Sequence, residues 1–158
     1  MALRNIVTVG DSVLNKTCRP VTSFDKRLHI LLDDMAQTLA DADGAGLAAP
    51  QVGVLRRAVV IDTEEELLEL INPEILETSG KQTGQEGCLS VPGKYGIVTR
   101  PNVVKVRAQD RFGNWFEFEG KELTARCICH EIDHLNGVLY TDVADRMLTP
   151  EEVSALAE

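Results

Sequence analysis

Large apolar side chains within residues 24–42 follow the three- and four-residue spacing of a helix, which predicts an amphipathic helix with one buried face. They are Leu28, Leu31, Leu32, Met35 and Leu39. Asp25 or Ser23 is placed to cap the start of this helix, and Gly44 is placed to end it. We therefore expect the segment to pack on the core through its apolar face.

Shorter apolar runs follow, and their length and their content of β-branched residues predict strands. The predicted strands are 57–62, 67–71, 103–108 and 115–119. The second ends at Asn72-Pro73, and Gly113-Asn114 supplies the turn chemistry of a hairpin between the last two. A second helix is predicted from about Glu122 to Asn136, with Gly137 just past its end.

This order of elements indicates an α+β fold, in which antiparallel β-sheets pack around a central helix. The chain has 158 residues, a length typical of one domain, and we expect residues 1–158 to form a single domain. Apolar residues make up 44% of the chain and aromatic residues only 4%, so the core is expected to be aliphatic.

Charge and hydropathy exclude several classes of partner. The formal charge of -9 repels a phosphate backbone, so direct nucleic-acid binding is not expected. The apolar runs are too short to cross a bilayer, and the N-terminus lacks the apolar stretch of a signal peptide. We therefore expect no membrane contact and a cytoplasmic location. The four cysteines are too sparse for the disulfide framework of a small secreted protein, which favours free thiols or a metal ligand.

The predicted second helix contains the segment His-Glu-Ile-Asp-His at residues 130–134. Four residues turn a helix by roughly 400°, so His130 and His134 lie on nearly the same face and can bind one metal ion. Glu131 lies on a neighbouring face, from which its carboxylate can reach a water without occupying the metal. A chance match is the alternative, but two of only three histidines in the chain have this spacing on an otherwise apolar helix. A metal site is therefore favoured, because burying the pair without a shared ligand would be costly.

A catalytic metal site needs a third protein ligand, and local spacing leaves several candidates. They are Cys88, Cys127, Cys129, Asp142 and Asp145. Cys127 would crowd an ion shared with His130, and Cys129 is expected to point elsewhere, so both fit better as buried packing residues. Cys88 lies in a predicted turn of Glu-Gly-Cys-Leu-Ser and can approach the histidines from another element. Spacing alone leaves the choice open.

Three segments together resemble the peptide deformylase family. They are residues 44–51 (Gly-Ala-Gly-Leu-Ala-Ala-Pro-Gln), residues 86–90 (Glu-Gly-Cys-Leu-Ser) and residues 130–135 (His-Glu-Ile-Asp-His-Leu). Their order and intervals match the family over nearly the whole chain. The resemblance implies an enzyme that hydrolyses the N-formyl group from the N-terminal formylmethionine of nascent polypeptides and releases formate.

The resemblance also implies the composition of the site. The implied ligands of one divalent ion are Cys88, His130 and His134. Iron, as Fe(II), is the implied physiological ion, and zinc, nickel or cobalt can replace it in a preparation. Glu131 would act as general acid and base. Gln51 and the backbone N–H of Leu89 would stabilise the oxyanion that forms during hydrolysis.

Substrate contacts follow from the same resemblance. The backbone around Ala45 and Gly46, together with that of Gly87, would bind the substrate main chain as an added strand. The residues implied to line the methionine pocket are Leu123 and Cys127, with Ile128 beside them. Position 45 is alanine where the family more often has a larger aliphatic residue, which would widen the pocket or its rim. An ion pair of Glu86 and Arg100 is expected to fix the cysteine turn.

The implied partners are formylated nascent peptides, with a transient ribosome contact. The sequence ends soon after Pro150-Glu151-Glu152-Val153, so the C-terminal helix is expected to be short or absent. Some bacterial relatives have a long basic helix there that is implicated in ribosome docking. We do not expect contact through that element in this chain.

Two other functions share part of this pattern. A metallopeptidase of another kind also carries H-E-x-x-H, but it would cleave internal peptide bonds and give no special role to Cys88 or Gln51. A non-catalytic protein would use the metal structurally, and structural sites are usually closed by four ligands. Three ligands beside an intact Glu131 favour an active site.

Overall fold

The computed structural model describes residues 2–156. Its first long element, helix α1 (Lys26–Ala42), buries the predicted apolar face. The Asp25 side chain caps the start by accepting a hydrogen bond from Leu28 N at 3.1 Å. The helix ends at Asp43, which adopts the left-handed conformation with a φ of 54°. The predicted helix is confirmed, with Asp43 rather than Gly44 as its left-handed terminal residue.

The strands of the described residues form two antiparallel sheets. In chain order the strands are β1 (Gly46–Ala48), β2 (Ala58–Asp62), β3 (Leu67–Ser79), β4 (Gln82–Cys88), β5 (Val91–Arg100), β6 (Val103–Gln109), β7 (Trp115–Lys121) and β8 (Arg146–Met147). The larger sheet has the order β1-β2-β3-β6-β7, and the smaller has the order β4-β5-β8. The predicted hairpin is confirmed as β6 and β7, which pair from Val103 opposite Lys121 to Gln109 opposite Trp115.

Strand β3 continues past Asn72-Pro73, where the sequence predicts that it ends. Asn72 takes a left-handed φ of 51°, and the register with β6 shifts between Ile71 and Glu74. The missing N–H of proline therefore falls in a bulge and not in the regular ladder. The Asn72 side chain stabilises the bulge by accepting from Val21 N at 2.8 Å and donating to Val21 O at 2.9 Å. The predicted end is wrong because this bulge accommodates proline inside a long strand.

The hairpin of β4 and β5 is missing from the sequence prediction because glycine and polar residues dominate its first strand. Cys88, expected in a turn, is instead the last residue of β4 and pairs with Val91. Leu89 and Ser90 form the two-residue turn between the strands. The position of the Cys88 thiol is therefore set by a regular strand rather than by an irregular loop.

Helix α2 (Leu123–Leu135) packs against strands of both sheets. The main core cluster around it is largely aliphatic, as expected, and includes Val59, Leu70, Val106, Ala125, Ile128 and Leu135. Gly137 follows the helix in the left-handed conformation, with a φ of 75°, as predicted. The antiparallel sheets thus pack around a central helix that carries the His-Glu-Ile-Asp-His segment.

Two short helices complete the described chain, α3 (Tyr140–Val143) and α4 (Pro150–Ala155). Single 3-10 turns occur at Ser12–Asn15 and Ala49–Val52. Among residues 2–156, no helix has the length and apolar character needed to cross a membrane. That residues 1–158 form one domain stays a prediction.

Candidate active site

Three potential metal ligands meet where helix α2 passes the end of strand β4. His130 and His134, one turn apart on α2, have their Nε2 atoms 3.2 Å apart. The Sγ of Cys88 lies 3.3 Å from the Nε2 of His134. Ligand atoms of all three residues lie within 4.8 Å of one another. The fold therefore brings Cys88 close to two histidines that lie at least 42 positions later in the chain. The two histidines themselves lie on successive turns of one helix.

The separations within this trio suit a single transition-metal ion. Ligand atoms bound about 2.0–2.3 Å from one tetrahedral ion lie about 3.3–3.6 Å from each other. The observed 3.2 Å and 3.3 Å are close to that range. One thiolate with two imidazoles suits iron or zinc, and three protein ligands leave one coordination position for a reactant.

Neighbouring groups set the protonation of the two imidazoles. Glu86 Oε1 lies 2.9 Å from His130 Nδ1, which places the ring proton there and leaves Nε2 as the electron-pair donor. Burial lowers the pKa of His130, but Glu131 and the hydrogen-bonded neighbours of the ring outweigh burial and raise it. Burial and the adjacent His130 lower the pKa of His134 to about 3, so this imidazole is neutral at physiological pH. His134 can therefore offer Nε2 to a metal directly, whereas His130 does so by releasing its Nε2 proton as the ion binds.

The other candidate ligands are engaged elsewhere. Asp142 accepts a hydrogen bond at 2.9 Å from the backbone N–H just before helix α3, and Asp145 accepts from Thr99 Oγ1 at 2.7 Å. Cys127 and Cys129 are buried on α2, as predicted. Burial raises the pKa of both thiols, to about 11 for Cys129. Among the described residues, Cys88 is the cysteine whose sulfur lies in one group with ligand atoms of both histidines, which favours it as the third ligand.

Glu131 lies beside the trio and lines the same cavity as Cys88 and His130. The residue is only 4% exposed, and its Oε1 has no hydrogen-bond partner among the described residues. Burial raises the pKa of Glu131 to about 7, against the opposing effect of His130. A carboxyl group with a pKa near neutrality can both accept and return a proton.

Gln51 and Leu89 lie beside the trio on two different elements. Gln51 belongs to the short helix Ala49–Val52, is buried, and places its Nε2 3.5 Å from Cys88 Sγ. Leu89 follows Cys88 directly, and its backbone N–H makes no backbone hydrogen bond within residues 2–156. The Leu89 N–H and the Gln51 hydrogen directed at Cys88 Sγ thus lie next to the trio, which is the position that donors to a developing oxyanion require.

These residues line an open cavity of about 440 Å³. Five of the residues predicted to bind substrate also line it, namely Ala45, Gly46, Gly87, Leu123 and Cys127. Ile128, expected beside Leu123 and Cys127 in the methionine pocket, does not line the cavity and is fully buried in the core. It points toward strand β7, where a Cβ at Gly120 would lie 2.9 Å from its Cδ1.

Two glycines allow the walls of the cavity to approach each other closely. A Cβ at Gly46 would lie 2.8 Å from both Cys127 Sγ and Glu131 Oε2. A Cβ at Gly87 would lie 2.6 Å from the ring of Tyr95. Since real Cβ atoms do not approach so closely, only glycine lets β1 lie directly against the face of α2 that carries Glu131.

Known proteins match this chain along almost its full length. A profile of the Polypeptide deformylase family matches residues 3–149. The chain belongs to this family. It is 57% identical over 148 residues to the peptide deformylase of Agathobacter rectalis, with 94% of each chain covered. It is 55% identical over 158 residues to the peptide deformylase of Thermoanaerobacter pseudethanolicus, with 100% of this chain and 99% of the other covered.

Solved deformylase structures share the fold. The crystal structure of the peptide deformylase from Thermotoga maritima aligns with a TM-score of 0.90 at 40% identity, covering 92% of this chain and 99% of that one. As a deformylase, the chain is a metal-dependent hydrolase acting on the N-formyl amide. Family membership thereby excludes the two rival functions, an endopeptidase sharing H-E-x-x-H and a non-catalytic metal protein.

A buried network of charged side chains around Glu86 contacts the site through His130. Glu86 accepts hydrogen bonds from Arg100 Nε and Nη2 at 2.9 and 3.0 Å, and from Arg126 Nη1 at 2.6 Å. The predicted pair of Glu86 and Arg100 is confirmed. Sequence reasoning misses Arg126, although an arginine between Ala125 and Cys127 on an apolar helix indicates a buried cation that needs a partner.

Replacing Glu86 with Gln is expected to lower the free energy of unfolding by about 3–5 kcal/mol, because two buried guanidinium groups lose their shared counter-ion. Arg100 and Arg126 are each 6% exposed and cannot recover hydration without local unfolding. Urea unfolding at fixed metal concentration measures the change. The matched control is Glu117→Gln, whose carboxylate is 58% exposed and pairs with Lys105 at 3.2 Å; it should change stability by less than about 1 kcal/mol. Equal losses in the two variants would contradict a structural role for the network.

Proposed function

We propose that this deformylase removes the formyl group from the N-terminal formylmethionine of nascent polypeptides at the site formed by Cys88, His130 and His134. In this proposal the three residues hold one divalent ion, and Glu131 is the general acid and base. The observation that carries the proposal is the buried Glu131 carboxyl, whose Oε1 lacks a protein partner beside three converging metal-ligand atoms.

Cys88, His130 and His134 would hold the divalent ion, which would supply Lewis acidity and lower the pKa of a water at the site. Glu131 takes a proton from the attacking water and later returns it to the departing amine. The Nε2 of Gln51 and the N–H of Leu89 donate hydrogen bonds to the oxyanion that develops on the former carbonyl oxygen. The C–N bond of the formyl amide breaks, and the products are formate and a peptide with a free N-terminus.

The cavity walls support the choice of substrate. The backbone at Ala45 and Gly46 on one side and at Gly87 on the other can pair with an extended peptide, as strands do. Leu123 and Cys127 present apolar surface for the methionine side chain. A formyl carbon carries only a hydrogen, so the close packing at Gly46 admits it while excluding bulkier acyl groups.

The finer assignments of ion and surroundings belong to the same proposal. Fe(II) is the proposed physiological ion because the family resemblance implies it. A thiolate with two imidazoles suits iron and zinc alike, and nickel or cobalt fit the same donors. A cytoplasmic location and a transient ribosome contact follow from a substrate that is still being synthesised. The charge of -9 argues that such a contact does not rest on direct binding to ribosomal RNA.

The experiment uses protein loaded with nickel, or with Fe(II) under anaerobic conditions, and the peptide formyl-Met-Ala-Ser. We expect formate and free amine to appear in equal amounts, while acetyl-Met-Ala-Ser and internal peptide bonds remain intact. Mass spectrometry of the products separates these reactions. Cleavage of an internal bond without formate release would contradict the proposal.

A further inference from the structure

Ser90 is a fully buried polar residue two positions after the proposed metal ligand Cys88, and it has no role in the proposed mechanism. It is 0% exposed and forms, with Leu89, the two-residue turn that joins β4 to β5. Cys88 and Val91 pair on either side of this turn. The Ser90 hydroxyl is therefore held at a fixed place between two strands, close to the reacting centre.

The hydroxyl of Ser90 contacts the side-chain amide of Gln51. Gln51 Nε2 donates to Ser90 Oγ at 3.1 Å, and the same nitrogen lies 3.5 Å from Cys88 Sγ. On the other end of the amide, Gln51 Oε1 accepts a hydrogen bond from Ala48 N at 2.9 Å. Because a backbone N–H can only donate, the contact with Ala48 identifies which end of the amide is oxygen.

The amide nitrogen of glutamine carries two hydrogens that lie in one plane. When Ser90 accepts one of them, the second is directed to the side of Cys88, where the reaction takes place. Loss of the Ser90 oxygen would leave the amide held by the Ala48 N–H at Oε1 and by the long 3.5 Å contact of Nε2 with Cys88 Sγ. The Gln51 side chain could then rotate about its last torsion, which is soft for a terminal amide.

The backbones of Gln51 and Ser90 are also held by one segment near the N-terminus. Val7 N donates to Gln51 O at 2.7 Å, and Val9 N donates to Ser90 O at 2.8 Å. The two donors are separated by a single residue, so the spacing of the chain sets the distance between the two acceptors. Gln51 and Ser90 come from elements far apart in sequence and are thus fixed relative to each other through both main chain and side chain.

We infer that Ser90 is a positioning residue for hydrolysis: it accepts one Nε2 hydrogen of Gln51 and so aims the other at the oxygen of the scissile formyl group. This inference rests on the proposed role of Gln51 in stabilising the oxyanion. Ser90 does not touch the substrate, and its effect passes entirely through Gln51.

Replacing Ser90 with Ala is expected to lower kcat about tenfold, with KM and bound metal unchanged. Removal of an entire oxyanion donor costs roughly 100- to 1,000-fold in kcat, and a misaligned donor is expected to lose only part of that. KM should not change because the lost interaction matters in the transition state and not in the bound ground state.

A double-mutant cycle on nickel-loaded protein with formyl-Met-Ala-Ser tests this inference. It compares unmutated protein, Ser90→Ala, Gln51→Ala and the double variant. The inference requires the tenfold effect of Ser90→Ala to disappear when Gln51 is already alanine. The same factor in both backgrounds, or no effect in either, would overturn it. If Gln51→Ala alone leaves kcat unchanged, the oxyanion role of Gln51 fails and the Ser90 role fails with it, whereas formate release by the unmutated protein still supports the deformylase site.

Thr38→Val is the matched control for loss of a buried hydroxyl. Thr38 is 4% exposed, its Oγ1 donates to Asp34 O at 2.7 Å, and it lies on α1, away from the cavity lining. It should lower the melting temperature without changing kcat. A fall in kcat equal to that of Ser90→Ala would assign both effects to stability and overturn the inference.

A measurement on unmutated, zinc-loaded protein covers the case in which Ser90→Ala fails to fold. Nuclear Overhauser contacts are expected between the Gln51 side-chain amide protons and the β protons of Ser90. They should come with two well-separated and slowly exchanging amide resonances for Gln51. Averaged resonances without these contacts would show a freely rotating amide and overturn the inference.

Discussion

Replacing Glu131 with Gln should lower kcat about 1,000-fold or more while the metal stays bound. Glutamine has nearly the same shape, but it cannot take a proton from the attacking water or return one to the departing amine. Glu131 is not one of the three residues whose ligand atoms converge, so the metal content of the purified variant should stay near one ion per chain. Steady-state formate release and elemental analysis on the same preparation test both statements.

The matched control is Asp133→Asn, two residues along the same helix. The Asp133 carboxylate pairs with Arg100 at 2.6 Å and is 29% exposed, so this change also removes one negative charge from α2. It is expected to retain most of the activity. Loss of metal from Glu131→Gln would instead assign Glu131 to the ligand set, and equal loss of activity in the two variants would remove its special role.

Replacing Cys88 with Ser should weaken metal binding and lower the activity in proportion to the metal lost. A thiolate binds iron, nickel or zinc much more strongly than a serine hydroxyl, which stays protonated at neutral pH. The remaining pair of imidazoles would hold the ion alone. Competition with a chromophoric chelator measures the affinity, and we expect a decrease of at least about 100-fold.

Cys129→Ser is the control for this substitution. Cys129 directly precedes the proposed ligand His130, yet it is buried on α2 and stays outside the converging trio. The variant should keep the metal affinity of the unmutated protein, with at most a moderate loss of stability. If Cys129→Ser weakens binding and Cys88→Ser does not, the third ligand is wrongly assigned.

The two histidines show what the local spacing of residues in the sequence can predict. A separation of four residues on a helix is enough to predict that His130 and His134 share a face, because helix geometry is the same in every protein. Their facing Nε2 atoms agree with that prediction. Cys88 is different, since its distance from the histidines depends on how β4 packs against α2. From the sequence alone, only the resemblance to a family selects Cys88 from the five candidate ligands.

The strands show a similar limit. Apolar alternation predicts β6 and β7, which are half buried, but β4 contains Gly84 and Gly87 among polar residues and has no such pattern. Both glycines lie close to other side chains: a Cβ at Gly87 would lie 2.6 Å from the ring of Tyr95, and one at Gly84 would lie a tight 3.3 Å from Arg126 Nη2. These contacts reach other elements of the fold, so the local sequence alone resembles a turn.

Residues that support the site are the hardest to find from sequence. Arg126 and Ser90 act through Glu86 and Gln51, and these pairs are joined by side-chain contacts across 40 and 39 positions of the chain. No periodic pattern marks such pairs. A polar residue in an otherwise apolar helix, or inside a motif whose other members have roles, is the only local signal.

X-ray absorption at the zinc edge of zinc-loaded, unmutated protein tests the assigned metal site most directly. We predict one sulfur ligand at about 2.3 Å and two imidazole nitrogens at about 2.0–2.1 Å, with one light ligand completing a tetrahedral site. The sulfur shell should disappear in Cys88→Ser and remain in Cys129→Ser. A site with no sulfur ligand, or with two, would contradict the assignment of Cys88, His130 and His134.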